Sequence, residues 1–340
     1  MSDSISYSDA GVSIDKANLA VEKIKQYAKN TFNSRTLTEI GSFGGMFSGA
    51  FPSMSDPILV ASADGVGTKL KIAFDTGIHD TIGQDLVNHC VNDILVQGAR
   101  PLFFLDYFAT GKLSPQTTAE VVKGIATACK ENGCVLLGGE TAEMPGFYSD
   151  GEYDLAGFIV GVVDKRNVID GKSIVPEDVA IGLPCRGLQT NGYSLARKLF
   201  FEIGGYKADS FVDELGATVS DLLLEKHASF LHLLDGVLES GKIKGLAHIT
   251  GGGFLENIPR ILPPGTSVRI ERGAWTEPSI YDFMQKLGNV RDEEMFRTFN
   301  MGIGMVVFCD KKDSSKILDS VPGSKIIGSV IAGNGKVDIV

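Results

Sequence analysis

Several kinds of chemistry are missing from this 340-residue chain. Its five cysteines, Cys90, Cys129, Cys134, Cys185 and Cys309, are odd in number and include no C-x-x-C pair. Most sit in apolar surroundings such as Cys134-Val135-Leu136-Leu137, so they read as reduced core thiols of a cytoplasmic protein. No stretch approaches ~18 uninterrupted apolar residues, which excludes a membrane-spanning helix. Met1-Ser2-Asp3-Ser4 has neither basic residues nor an apolar core, and no signal peptide is expected. No run of lysines or arginines forms a basic stripe, and the net charge is −10. Nucleic acid and anionic membrane surfaces are therefore excluded as main partners. Absent too are the G-x-S-x-G elbow, H-E-x-x-H, a G-x-G-x-x-G between strand and helix, and any low-complexity segment or regular repeat.

What is present is glycine, 41 of 340 residues, in a chain with 43% hydrophobic and 22% charged residues. The length suits roughly two domains with real cores. Ala17, Ala20, Val21, Ile24, Tyr27 and Ala28 recur at helical spacing over residues 15–30. The glycine-rich segment 40–49, Ile-Gly-Ser-Phe-Gly-Gly-Met-Phe-Ser-Gly, reads either as a mobile surface loop or as a lid over a nucleotide. The run 58–62 reads as a buried strand ending in Asp64-Gly65-Val66-Gly67-Thr68-Lys69. Such a turn lets N–H groups approach phosphate oxygens, with a lysine charge and a carboxylate for Mg²⁺ beside them. It is not a Walker A loop, because the order of Gly, Thr and Lys is wrong.

Downstream, Ile82, Leu86, Val87, Cys90, Val91, Ile94 and Leu95 form the apolar face of one helix. Asp85, His89, Asn92 and Asp93 form a polar stripe without Lys or Glu, which favours a site-facing over a solvated role; His89 alone is weak evidence for a ligand. Residues 102–109 read as a strand buried on both faces, within the subunit or against a partner. Ser114-Pro115 starts a helix reaching about Lys130, and Gly133 stands where its C-terminal cap belongs. Strand 134–137 ends in Gly138-Gly139-Glu140, strand 154–163 follows, and 164–178 is the expected junction between domains 1–168 and 169–340. The second half opens with strand 179–184 and Gln189-Thr190-Asn191-Gly192, and carries Thr250-Gly251-Gly252-Gly253 and a last apolar strand at 302–308. Three carboxylates without histidine or cysteine ligands suit Mg²⁺ rather than Zn²⁺, and glycines with hydroxyl and amide donors suit phosphate. From the residues alone the chain reads as an ATP- and Mg²⁺-dependent enzyme acting on a small metabolite.

Tyr7 to Val12, Asp64 to Lys69, Val91-Asn92-Asp93, Phe103 to Tyr107, GGETAEMPG at 138–146, Asn191 to Leu195 and TGGGFLENIP at 250–259 occur in that order. Together they resemble the phosphoribosylformylglycinamidine cyclo-ligase (aminoimidazole ribonucleotide synthetase) family. The resemblance implies an α+β protein of two domains, a homodimer whose N-terminal mixed sheets join across the interface into a barrel, and a C-terminal sheet packed with helices. It implies ATP-dependent closure of formylglycinamidine ribonucleotide to 5-aminoimidazole ribonucleotide. Carried over by position, Asp64, Asp93 and Glu140 are the implied metal ligands and, with Lys69 and Asn191, the catalytic set. Lys25, Gly41, Gly44, Gly45, Gly65, Gly67, Thr68 and Asn92 would bind the nucleotide. Gln189, Thr190, Gly192, Thr250, Gly251, Gly252 and Gly253 would hold the substrate and its ribose phosphate. Gln189 departs from the histidine usual there, so that position either orients substrate or has passed proton transfer to another group such as Asp106. The rivals are another enzyme of the superfamily, such as a thiamine-phosphate kinase or selenophosphate synthetase, and a nucleotide-binding scaffold without turnover.

Overall fold

The protein is described by a computed structural model covering residues 10–340, so Tyr7, Ser8 and Asp9 of the first motif lie outside the described residues. Helix α1 (Ile14–Lys29) starts where the Ser13 hydroxyl accepts from the Lys16 N–H, with Asp15 in its first turn and Lys29 in its last. Both charges oppose the helix dipole favourably. Then come β1 (Pro57–Gly65), α2 (Leu70–Thr76), α3 (Asp80–Leu95), β2 (Arg100–Thr110), α4 (Pro115–Glu131), β3 (Val135–Glu143) and β4 (Tyr153–Asp164). Ser114 caps α4 through the Thr117 N–H, Pro115 opens it, and Gly133 follows with φ of 65°, as the sequence expects.

These strands form one sheet in the order β1-β4-β2-β3, antiparallel except for the parallel pair β2 and β3. A parallel pair needs a crossover, and α4 supplies it. Helices α3 and α4 cover one face and meet backbone to backbone. A Cβ on Gly83 would stand 2.2 Å from the Val121 carbonyl oxygen, and one on Gly124 2.2 Å from that of Asp80. Val60, Phe104, Phe108 and Ile159 point into this covered side. The opposite face is open: Leu59 and Phe158 are exposed, and Phe103, Leu105 and Tyr107 are half-buried. Among the described residues strand β2 is thus covered on one face only, and the sheet does not close into a barrel. A second correction concerns β3. It continues through Glu143, so Gly138, Gly139 and Glu140 lie inside the strand opposite Leu105, Asp106 and Tyr107, not beyond its end.

The second half has a small hairpin of β6 (Phe211–Val212) and β7 (Ala217–Thr218) beside a six-stranded sheet. That sheet runs β12-β9-β11-β5-β10-β8, built from β5 (Val179–Pro184), β8 (Ile243–His248), β9 (Thr266–Ile270), β10 (Ile303–Cys309), β11 (Lys325–Ala332) and β12 (Val337–Ile339). Only β12 and β9 are parallel. Every residue of β10 and all of β5 but Pro184 are buried, which explains their continuous apolar reading without alternation. Among the described residues no helix is long and apolar enough to cross a membrane.

Candidate functional site

The polar stripe of α3 faces the second half of the chain. Asn88 Nδ2 donates to the His227 carbonyl (2.8 Å), the His227 N–H donates to Asp85 Oδ1 (2.7 Å), and the Phe230 N–H donates to Asn92 Oδ1 (3.0 Å). The stripe lacks Lys and Glu because it is an interdomain seam. At its outer end Asp64, from the end of β1, meets His89 Nε2 at 2.8 Å, and His89 Nε2 lies 3.9 Å from Asp93. His89 Nδ1 is 2.6 Å from the Thr190 hydroxyl, which is 3.2 Å from His227 Nδ1. His227 Nε2 is 3.1 Å from His248 Nε2, and His248 Nδ1 is 2.9 Å from Asp93 Oδ1. A ring of side chains therefore runs from one carboxylate to the other through both domains.

Burial works to raise Asp64, but the His89 bond and charge and the Gly65 N–H hold it below the usual carboxylate range. Burial also opposes charge on His89, yet the bond to Asp64 and the nearby carboxylates push it up overall. His227, enclosed and beside two other imidazoles, is held far below the ordinary histidine value. Burial lowers His248 as well, against the pull of Asp93.

Beside the ring the phosphate-type donors collect. The Thr68 and Ser194 hydroxyls touch across the cleft at 3.0 Å. Asn191 Oδ1 accepts from the Gly251 N–H (2.9 Å), while its Nδ2 is buried with no partner among the described residues. Asn257 Nδ2 ties the carbonyls of Thr250, Gly251 and Gly253, fixing the glycine turn. Gly192 has φ of 78°, and a Cβ there would stand 2.3 Å from the Phe299 ring.

Lys69 does not reach this surface. It is fully buried, 2.7 Å from Asp85, and donates to the carbonyls of Gln189 (3.2 Å) and Glu225 (2.7 Å). Burial pushes Lys69 down and Asp85 up, and their mutual attraction opposes both shifts. Gln189 is equally enclosed; neither of its side-chain polar atoms has a partner among the described residues. Both residues thus sit beneath the site expected to contain them.

Glu140 lies elsewhere. It lines a cavity of about 590 Å³ with α1, the loop 39–45 and Asp106. Lys25 reaches over Gly41, whose Cβ would be 3.8 Å from Lys25 Cε, and a Cβ on Gly45 would stand 2.4 Å from Leu137 Cγ. Burial raises the Asp106 carboxyl to about 7. Gly41, Gly44 and Gly45 line this lid cavity; Gly65 donates its N–H to Asp64 (2.7 Å), Thr68 touches Ser194 and Asn92 accepts from Phe230 at the seam, while Gly67 turns the chain between them with φ of 63°. Sequence reasoning missed His227, which no motif flags, and Asp85 as the partner of Lys69. His248 was visible only as the residue two before the TGGG turn. A further cavity of about 850 Å³ behind His227 is lined by none of the expected site residues.

A family profile described as AIR synthase related protein, N-terminal domain, matches residues 51–163, and its C-terminal counterpart matches residues 175–340. The chain is 51% identical over 337 residues to a phosphoribosylformylglycinamidine cyclo-ligase of Thermoanaerobacter sp. (strain X514), covering 98% of this chain and 99% of that protein. It is 51% identical over 330 residues to one of Syntrophotalea carbinolica, covering 96% and 94%. Among solved structures it resembles a thiamine-monophosphate kinase from Stenotrophomonas maltophilia (TM-score 0.66, 14% identity, 94% and 95% coverage). It also resembles the hydrogenase maturation protein HypE in complex with ATP (TM-score 0.63, 18% identity, 95% and 89% coverage). At such identities these two structures speak for the fold alone.

Proposed function

The chain belongs to the AIR synthase related family, and we propose that it closes the imidazole ring of 5-aminoimidazole ribonucleotide from formylglycinamidine ribonucleotide, using ATP. The observation that carries this reading is the seam, where Asp64 and Asp93 from one domain face Thr190, Asn191 and the Gly251–Gly253 turn from the other. In the reaction the γ-phosphoryl group passes to the formyl oxygen. The substrate's amine nitrogen then bonds the formyl carbon, and the carbon–oxygen bond breaks to release phosphate beside ADP. Both reacting groups belong to one molecule, so the protein's main task is to hold it folded.

The two carboxylates offer hard oxygen donors on either side of one imidazole, which fits Mg²⁺. Bound there, Mg²⁺ would neutralise the charge of the triphosphate. His89 orients the Asp64 carboxylate, Asn191 Nδ2 is the free donor for a substrate oxygen, and the Thr68 and Ser194 hydroxyls are donors for phosphate. Lys69 acts from below, holding α3 to the 189 and 225 loops. The lid cavity, with Lys25 over Gly41 and mostly apolar walls, suits the nucleoside part of ATP. The open apolar face of β1, β4 and β2 supports a homodimer, with a total interface above roughly 2,000 Å². Five buried, unpaired cysteines suit the reducing cytoplasm.

The test of function incubates protein, ATP, Mg²⁺ and formylglycinamidine ribonucleotide. ADP should form only with the substrate present, together with an aromatic amine. ADP without ring closure would favour a small-molecule kinase, and no ADP a scaffold. Light scattering showing a monomer at micromolar concentration would remove the dimer.

A further inference from the structure

Four aspartates are buried among the described residues, and three of them are satisfied. Asp85 is paired with Lys69, Asp164 accepts from the Ser55 N–H and Asp178 is paired with Lys244. Asp106 has neither a cation nor a donor from another described residue; only its own N–H turns towards it. A buried polar group left without a partner asks for an explanation, and a ligand is one when the group lines a cavity. Asp106 lines the lid cavity.

Register places Asp106 opposite Gly139, and a Cβ on Gly139 would stand 2.2 Å from Asp106 Oδ1. The carboxyl therefore leans over that glycine, in room that any side chain at 139 would fill. Glu140, next along β3, pairs with Tyr107 and so belongs to the opposite face of the sheet. On the Asp106 face the cavity wall is otherwise apolar, with Ile24 and Ala28 of α1, Val122 of α4 and Leu136 of β3. At the other end Gly41 to Met46 are exposed and Lys25 stands over Gly41. The cavity thus runs from a charged mouth to a single acceptor at its closed end. A nucleotide entering it keeps its phosphates at the mouth, and the far edge of the base reaches Asp106. We propose that Asp106 reads the base of the nucleotide, accepting a hydrogen bond from the 6-amino group of adenine at the closed end of the lid cavity. A carboxyl keeps an oxygen free to accept whether or not it carries its proton, so the contact does not depend on ionisation. The inference rests on the reading of the lid cavity as the nucleoside site.

The test uses purine riboside 5′-triphosphate, which is ATP without the 6-amino group. Calorimetry measures its affinity and that of ATP for the full chain, with Mg²⁺ and without the second substrate. The parent should bind the analogue at least about tenfold more weakly than ATP, because the analogue leaves a buried acceptor unpaired. Asp106→Asn should keep that preference, since the amide oxygen still accepts. Asp106→Leu removes the acceptor and should bring the two affinities within about twofold of each other. Thermal unfolding reports whether that variant folds, and the smaller Asp106→Ala replaces it if it does not. Equal affinities in the parent, or an undiminished preference in a folded Asp106→Leu or Asp106→Ala protein, would overturn the proposal. So would a parent that rejects 3′-deoxy-ATP and ignores the amino group, which would put the ribose at Asp106. Ring closure without any preference for the amino group would sink this inference alone. The preference without ring closure would sink the functional reading alone.

Discussion

The interdomain seam and the lid cavity were one site in the sequence and are two places in the molecule. Both end in carboxylates beside glycines, which is why Asp64 and Glu140 look like partners. The sheet separates them. Their strands β1 and β3 are the two edges of the order β1-β4-β2-β3, three inter-strand steps or roughly 14 Å apart. Their surroundings differ as much as their positions. In the seam, carboxylates meet imidazoles and every buried charge has a partner; in the lid cavity, Asp106 sits among apolar walls with its carboxyl raised. Similar carboxylate-and-glycine motifs on two strands therefore do not imply one metal site: pairing order decides it, and pairing is non-local.

The strongest way to break the contrast is at Lys69. If it is a buried strut, Lys69→Met leaves Asp85 enclosed without its cation and should cost about 3–5 kcal/mol of unfolding free energy. Adding Asp85→Leu should recover part of that loss, since an apolar pair can replace a buried ion pair but leaves the His227 N–H without its acceptor. Urea unfolding of the single and double variants checks both. A Lys69→Met protein of normal stability but poor turnover would return the lysine to the phosphates.

Asp64→Asn comes next. Its side chain is 40% exposed, so the substitution should keep the fold and cost only the part of the His89 contact that solvent does not screen. Losing one charge contact of this kind raises a barrier by on the order of 3 kcal/mol, hence ~100-fold or more in turnover. Activity within a few-fold of the parent chain would show that the seam is not the reacting centre.

The lid cavity should show itself in pH dependence. Asp106 has a folded-state pKa of about 7, raised from 3.8 by burial. Between those values the folded state keeps a proton that the unfolded state has lost, so stability falls as pH rises from about 4 to about 7 and then levels off. Asp106→Asn removes that slope. The variant should match the parent near pH 4 and exceed it at pH 8 by about 2 kcal/mol, short of the full ~4 kcal/mol that the whole shift would represent. Unfolding free energies across pH 4–8 measure the difference. Parallel curves would mean that Asp106 is ionised through a cation or donor in the lid cavity.

Much of this was legible beforehand, and the boundary is instructive. The strand at 179–184, the Ser114-Pro115 start of α4 and the apolar face of α3 follow from periodicity and capping, which are local. The stripe Asp85, His89, Asn92 and Asp93 was visible as unusual because it lacks solubilising residues. Its partners were not, because Lys69 and His227 reach it from 16 residues before and 142 residues after Asp85, and no local pattern encodes such contacts. The direction of Lys69 is set by the single helical turn Gly67–Lys69, which swings the lysine inward while leaving Thr68 at the cleft.

The smallest expected effect is at Gln189, where the family's usual histidine is missing. Its backbone has φ of 60° and its carbonyl accepts from Lys69 at 3.2 Å, so the main chain, not the side chain, does the binding here. The amide is enclosed beside Gly304, whose Cβ would stand 2.8 Å from Gln189 Nε2, and it finds no partner among the described residues. A buried amide without hydrogen bonds can be replaced by an apolar group of similar shape at little cost or with gain. Gln189→Met should thus keep turnover within about threefold and leave stability unchanged or higher by up to ~1 kcal/mol. Gln189→His should create no new limb near pH 6.5 in the rate profile, because the position has no path to the cleft. Steady-state rates and urea unfolding decide between outcomes. A large fall in turnover for Gln189→Met at normal stability would mean that the seam opens during catalysis and brings this amide to the substrate, joining Gln189 to the site it now lies beneath.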